Sequence, residues 1–212
     1  SSSSLGPSCG HDATHASSIS PPVRQGGAVA DLLVVSGPPG AGKSTVASLL
    51  VAGLDVGALV PGDAFFAFWS RGAVAPWLPE AAGQNAAVVA AAAAAAGALA
   101  AGGCPVVYDG VVGPWFLPAF VEGTARQGLR VPGELHLVVL LPDLEVTARR
   151  VAQRTGHGFT DAAATARMHA DFEAAAGELP ERHVLRGSSS GPDDVAALVR
   201  QRWASGELLV SG

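Results

Sequence analysis

The sequence predicts an α/β domain in which a doubly wound, five-stranded parallel sheet carries helices on both faces. Short apolar runs alternate with longer stretches of helical pattern, as buried parallel strands and their crossover helices do. The chain has 212 residues, of which 49% are hydrophobic and 15% charged. One compact domain with a well-buried core accounts for that length and balance.

Each predicted strand is a short apolar run that ends at a turn signal. The predicted strands are residues 32–36, 58–60, 105–108, 135–141 and 183–185. A glycine-rich turn follows the first strand, and a helix is predicted after it at residues 43–52.

Two segments need separate interpretation. Residues 85–101 consist almost entirely of small apolar residues, and the run approaches transmembrane length. Alanine is only weakly apolar and a glycine interrupts the run, so we predict a helix packed against the sheet. Residues 1–29 are rich in serine and proline, which predicts a disordered leader before a domain at residues 30–212.

Charge and cysteine content narrow the function classes. The net charge is −5, and no basic stripe is present, which argues against nucleic acid or an anionic membrane as a partner. The two cysteines, Cys9 and Cys104, form no disulfide framework. A reducing, cytoplasmic location is therefore expected.

The glycine-rich turn matches the phosphate-binding motif G-x-x-x-x-G-K-[ST] at every position, between a predicted strand and a predicted helix. The matching residues, with the one that follows, are Gly37, Pro38, Pro39, Gly40, Ala41, Gly42, Lys43, Ser44 and Thr45. Lys43 is the only lysine of the chain. The motif predicts a P-loop NTPase fold that binds ATP and Mg²⁺, with Lys43 on the β- and γ-phosphates and the Ser44 hydroxyl on the metal.

Motifs of other P-loop classes are absent from the sequence. There is no N-K-x-D for guanine and no L-S-G-G-Q of transporter ATPases, and the third strand ends in Tyr108-Asp109-Gly110 without an Asp-Glu pair. These absences and the size of the chain favour a small-molecule kinase.

Two further features are typical of phosphoryl transfer. Asp63 follows the second strand, at the sheet edge where ligands of open α/β folds bind, and could orient or deprotonate an acceptor hydroxyl. Its alternative role is a helix N-cap. Arg150 and Arg154 share one helical face before a glycine-containing loop, which predicts a small lid that closes over the triphosphate. The alternative is a solvated cationic face paired with Glu145.

An acceptor pocket is predicted between the second and third strands and after the third. Its candidate residues are Asp63, Trp69, Arg71, Trp77, Asn85, Asp109 and Trp115, with Gln84 as a further polar anchor. Aromatic walls with few polar anchors suit a ring-bearing hydroxylated compound better than a small anionic acid. The alternative is that the aromatic residues form core, which is our expectation for Phe65 and Phe68.

The chain resembles the chloramphenicol phosphotransferase-like kinases, and more distantly the shikimate and gluconate kinases and the zeta toxins. The resemblance rests on GPPGAGKST, PGDAFF, VVYDG and LPDLEVTARRVAQRTG, within residues 32–169. It implies that Asp63 is the catalytic aspartate and Asp109 a second strand-end acid at the metal or the acceptor. It also implies that Arg150 and Arg154 are lid arginines.

The resemblance also implies an activity. The expected reaction is phosphorylation of a small hydroxylated molecule, such as an antibiotic or a nucleoside-like metabolite, by ATP with Mg²⁺. Two alternatives stay open at this point. One is a zeta-toxin-like kinase that acts on a nucleotide sugar, and the other is a regulator in which ATP hydrolysis only toggles a conformation.

Overall fold

The computed structural model describes residues 28–131, 133–153, 160–187 and 191–211. Its strands are β1 (Leu32–Ser36), β2 (Ala58–Pro61), β3 (Val106–Asp109), β4 (Leu135–Leu141) and β5 (Val184–Arg186). Its α-helices are α1 (Lys43–Ala52), α2 (Ala82–Ala101), α3 (Leu117–Ala125), α4 (Leu144–Ala152), α5 (Ala162–Ala176) and α6 (Pro192–Ala204). Every predicted strand is present, with bounds shifted by one residue at most.

The five strands form one parallel sheet in the order β2-β3-β1-β4-β5. β1 lies at the centre, and consecutive strands along the chain are joined by helical crossovers. The carboxyl ends of all five strands therefore meet at one edge of the sheet, where open α/β folds bind their ligands. The predicted α/β fold class is confirmed.

Helices cover both faces of the sheet because side chains of a strand point alternately to opposite sides. Leu32 and Val34 of β1 belong to the core that α2, α3 and α5 cover. Leu33 and Val35 of the same strand belong to the core under α1 and α6. Since both faces are buried, β1 is an unbroken apolar run, which is why it could be found in the sequence.

The alanine-rich helix α2 is a core helix. Among the described residues, the segment 79–101 is the one that is long and apolar enough to cross a membrane, and 44% of its most apolar window is buried inside the protein. A Cβ at Gly97 would come within 3.1 Å of the Thr124 Cα on α3. The small residues thus allow close approach of two helices, as predicted for a helix packed within the domain.

Two predicted segments fall outside the described residues, in whole or in part. The predicted leader, residues 1–29, is described only at residues 28 and 29, where Val29 packs against the core. Arg154 and the rest of the predicted lid loop, to residue 159, are not among the described residues.

Candidate active site

The glycine-rich turn adopts a conformation that only glycines permit at three positions. Gly37, Gly40 and Gly42 have φ values of 141°, 81° and 98°, a region that other residues rarely adopt. A Cβ at Gly37 would overlap the Leu140 carbonyl of β4, and one at Gly40 would overlap the Thr147 carbonyl of α4. The loop therefore packs closely against β4 and α4. Since α1 begins where the loop ends, the N–H groups of the loop and the N-terminus of the helix can face an anion.

Two cations contact the backbone of this loop. Lys43 is 7% exposed, and its Nζ donates to the Pro38 carbonyl at 3.1 Å. From α4, Nη1 of Arg150 lies 3.3 Å from each of the carbonyl oxygens of Gly40 and Ala41. Of the two roles considered for Arg150, this contact favours a place beside the phosphate loop over a solvated cationic face.

A cavity of about 470 Å³ adjoins the loop. One side of it is formed by Gly40, Ala41, Gly42, Thr45, Leu140, Pro142 and Arg150. The other side is formed by Leu185, Arg186, Gly187, Pro192, Asp194, Val195 and Leu198. Apolar walls beside a phosphate-binding loop are suited to a flat nucleotide base.

The two carboxylates lie at the carboxyl ends of the neighbouring strands β2 and β3. In the β2–β3 register Pro61 is opposite Asp109, and in the β1–β3 register Val35 is opposite Asp109. Asp63 follows Pro61 by two residues, inside the 3₁₀ segment Gly62–Phe68. The N-cap of that segment is Pro61, so the alternative role of Asp63 as an N-cap is wrong.

The donor set near the phosphate loop fits Mg²⁺. Ser44 is exposed in the first turn of α1, and Asp109 ends β3 beside β1. Hydroxyl and carboxylate oxygens are the ligands that Mg²⁺ prefers. Among the described residues no group of three or more His, Cys, Asp and Glu side chains could hold a metal ion. A magnesium ion would therefore be held together with nucleotide phosphates, as is usual for this ion.

Tyr108, the only tyrosine of the chain, lies close enough to both carboxylates to feel their charges. Its side chain is buried, and its pKa is raised first by that burial and then by the negative charges of Asp63 and Asp109. The phenol therefore stays protonated at neutral pH. Sequence reasoning used Tyr108 only as the end of a strand, although an isolated tyrosine directly before a strand-end aspartate was the available signal.

The loop after β3 is tied to the end of β1 by a reciprocal pair of hydrogen bonds. The Ser36 hydroxyl donates to the Val112 carbonyl at 2.8 Å and accepts from the Val112 N–H at 2.9 Å. This pair fixes the backbone that leaves Asp109, and the pattern of the sequence gave no sign of it.

An open cavity of about 370 Å³ lies between the 3₁₀ segment and α2. Its lining includes Phe65, Phe68, Trp69 and Arg71, together with small residues of α2. Phe68 is 76% exposed, so the prediction that it is core is wrong, whereas Phe65 packs partly buried against the core. The two residues are three apart and therefore share one side of the 3₁₀ segment, where the ring of Phe68 meets that of Phe65 edge to face with centroids 5.4 Å apart and remains exposed beyond it.

The predicted polar anchors hold the neighbouring loop. Gln84 accepts from the Val74 N–H at 2.8 Å and donates to the Val74 carbonyl at 2.7 Å. Asn85 donates to the Pro76 carbonyl at 2.7 Å. Trp77, in the same loop, is partly buried and is not part of the lining of the 370 Å³ cavity. The amides of Gln84 and Asn85 thus position the chain between residues 70 and 78.

Trp115 lies in the loop between β3 and α3. It is 44% exposed, and its ring meets Phe172 of α5 edge to face, with centroids 5.2 Å apart. A Cβ at Gly113 would overlap the same indole. The structure thus places Trp115 at the surface of the core and separates it from the cavity that contains Trp69.

A family model described as an AAA domain matches residues 32–179, more than two thirds of the chain. The chain belongs to this AAA-domain family. The match runs from the start of β1 to just after α5 and so includes the phosphate loop, both strand-end carboxylates and Arg150. No curated protein matches the sequence.

Solved structures share the fold of this AAA-domain protein. A sugar kinase from Janibacter sp. HTCC2649 superposes with a TM-score of 0.61 at 19% identity, over 85% of this chain and 99% of that one. A tunicamycin resistance protein from Deinococcus radiodurans gives 0.55 at 17% identity, over 86% and 99%. Shikimate kinase from Acinetobacter baumannii in complex with shikimate gives 0.58 at 17% identity, over 84% and 96%. At such identities the likeness shows the P-loop NTPase-like fold.

Proposed function

We propose that this protein is an ATP-dependent O-phosphotransferase that transfers the γ-phosphoryl group to a hydroxyl of a small molecule. The observation that carries the proposal is the meeting of a P-loop with two carboxylates, Asp63 and Asp109, on neighbouring strand ends. The similarity to a sugar kinase and to shikimate kinase supports it. A domain at residues 30–212 and a cytoplasmic location belong to the same proposal.

The nucleotide would lie along the phosphate loop. N–H groups of residues 37–45 and the ammonium of Lys43 would bind the phosphates, and the 470 Å³ cavity would hold the base. Ser44 and Asp109 would hold Mg²⁺, which neutralises phosphate charge when bound. Arg150 supports the loop from α4 and, with Arg154, would stabilise charge on the moving phosphoryl group.

Asp63 would act on the acceptor. Its carboxylate would orient the hydroxyl and accept its proton as the oxygen attacks the γ-phosphorus. The bond from the γ-phosphorus to the bridging oxygen breaks, and ADP leaves with that electron pair. The products are a phosphate monoester and ADP.

The acceptor would enter from the cavity of Phe65, Phe68, Trp69 and Arg71. Exposed aromatic rings favour stacking on a ring-bearing compound, and the guanidinium of Arg71 would bind a polar substituent. We propose an antibiotic or nucleoside-like metabolite as the acceptor class. The resemblance of its sequence motifs to the chloramphenicol phosphotransferase-like kinases and the similarity to a tunicamycin resistance protein support that choice.

The test is a screen of the purified protein with Mg²⁺ and ATP against hydroxylated antibiotics, nucleosides, nucleotide sugars and simple sugars, with mass detection of products. A product heavier by one phosphoryl group establishes the transferase and identifies its acceptor class. Slow release of ADP that no compound accelerates would instead support the regulator, and phosphorylation of a nucleotide sugar alone would support the zeta-toxin-like alternative.

Asp63→Asn tests the assigned role of the carboxylate. The loss of a general base reduces turnover by about 10²–10⁴-fold, while ATP affinity should remain. The matched control is Asp55→Asn, since Asp55 is exposed in the turn after α1, at the opposite edge of the sheet. Transfer that survives in Asp63→Asn at the wild-type rate contradicts the assignment.

A further inference from the structure

Tyr108 occupies the space between the two backbone segments that carry the strand-end carboxylates. Its hydroxyl lies where a Cβ of Gly62 would stand, directly before Asp63. On the other side, a Cβ at Gly110, directly after Asp109, would lie 2.8 Å from the same hydroxyl and 2.7 Å from the ring. Because Gly62 and Gly110 have no side chains, the phenol contacts the backbone directly at both positions.

The ring is held from behind. Phe120 of α3 meets it edge to face with centroids 4.8 Å apart, and Phe120 is fully buried. Tyr108 is 3% exposed, and its strand is bonded to β1 on one side and β2 on the other. Because packed aromatic rings in a core have little freedom to shift, the position of the Tyr108 hydroxyl is fixed.

We infer that Tyr108 is a positioning residue that sets the placement of the Asp63 and Asp109 carboxylates relative to each other. The inference rests on the proposed function, because it assigns to the phenol the geometry on which metal binding and phosphoryl transfer would depend. Displacements of about 1 Å in such a site reduce rates by about 10²-fold.

The test compares Tyr108→Phe, which keeps the ring and removes the hydroxyl, with Leu208→Ala, which loosens the core on the opposite face of the sheet, where Leu208 is fully buried. Calorimetry measures ATP affinity without metal and the increase in affinity that Mg²⁺ brings. Turnover of ATP is measured with water as the acceptor, and with any acceptor that the screen identifies. Gly62→Ala, which forces the hydroxyl and the Asp63 segment apart, is a second variant.

We expect the affinity of Tyr108→Phe for metal-free ATP to stay within about twofold of the wild-type value. The increase in ATP affinity that Mg²⁺ brings should be at least about threefold smaller than in the wild type, and ATP turnover about tenfold slower. Leu208→Ala should lower the Tm and leave both the Mg²⁺ effect and the turnover of the folded protein unchanged. A merely structural role of Tyr108 would not separate the two variants in this way.

Two results would overturn the inference. One is a Tyr108→Phe protein whose Mg²⁺ effect and turnover both equal those of the wild type. The other is an equal loss of both in Leu208→Ala, since a general loss of stability would then explain it. If the wild type transfers phosphate to no acceptor and hydrolyses no ATP, the proposed function fails, and the Mg²⁺ effect alone decides the role of Tyr108.

Discussion

The guanidinium of Arg150, on α4, is hydrogen-bonded to the carbonyl oxygen of Gly40, 3.3 Å from its Nη1. A second bond of the same length reaches the next carbonyl of the loop. The residue predicted to close over the phosphates thus supports the loop that would bind them, from a helix more than a hundred residues further along the chain.

Replacing Arg150 should therefore weaken nucleotide binding more than it weakens the fold. Hydrogen bonds to a charged group contribute about 1.5–3 kcal/mol each when desolvated, and Arg150 is exposed. We expect Arg150→Ala to lower ATP affinity about tenfold, equivalent to about 1.4 kcal/mol. Calorimetry would measure it, with Arg149→Ala on the exposed neighbouring position as control. Equal affinities in the two variants would contradict a supporting role.

Gly40 should not tolerate a side chain. A Cβ there would overlap the Thr147 carbonyl, and its φ is 81°. Strain at such a φ costs about 1–2 kcal/mol, and overlap with a packed backbone adds about 1–3 kcal/mol. Gly40→Ala should lower the Tm by roughly 5–15 °C and abolish ATP binding.

The control for this substitution is Gly128→Ala. Gly128 has a φ of 101° with nothing within 4 Å of an added Cβ, so it carries the conformational strain without the overlap. Melting curves followed by circular dichroism would compare the two. If both substitutions lower the Tm by the same amount, the close packing of the loop on α4 makes no contribution to stability.

Gln84 should control the order of the loop between residues 70 and 78. Its amide makes two hydrogen bonds to the backbone of Val74, and such bonds contribute about 0.5–1.5 kcal/mol each. Gln84→Ala should speed hydrogen exchange of peptides from this loop by about tenfold and raise the KM of an identified acceptor without changing that of ATP.

Gln201→Ala is the matched control, since Gln201 is exposed on α6. Exchange across residues 70–78 that stays the same in Gln84→Ala as in Gln201→Ala would show that the amide does not hold the loop.

The pKa of Tyr108 provides a test of its burial. Burial first, then the charges of Asp63 and Asp109, raise that pKa above the ordinary value of 10.0. The folded protein therefore holds the phenol proton more tightly than the unfolded chain does. The resulting stability is present below about pH 10 and is lost as the pH rises through the higher pKa of the folded state.

Ultraviolet absorbance of the phenolate would follow this titration, because the chain has a single tyrosine. We expect no ionisation of the folded protein around pH 10, and ionisation together with unfolding at higher pH. Tyr108→Phe removes the signal and should flatten the alkaline loss of stability. A reversible midpoint near 10 in the folded protein would show that the phenol is exposed to solvent.

The positions of the strands along the chain could be predicted from the sequence. Strands buried on both faces must be unbroken apolar runs, as at Leu32–Ser36, and each was found within one residue. The depth to which a short 3₁₀ segment packs against the core has no such pattern. For that reason Phe65 and Phe68 received the same prediction, although one packs against the core and the other is 76% exposed.

By itself the sequence determined the parallel α/β fold and the phosphate loop, because both depend on local residue types: apolar runs, glycines that permit positive φ, and a lysine at a set spacing. Tertiary structure alone decided that Tyr108 packs on Gly62, that Arg150 binds the loop and that Gln84 binds Val74. The reason is physical. Such contacts depend on how strands pair and helices pack, and residues that meet only through that packing have no spacing along the chain that predicts them.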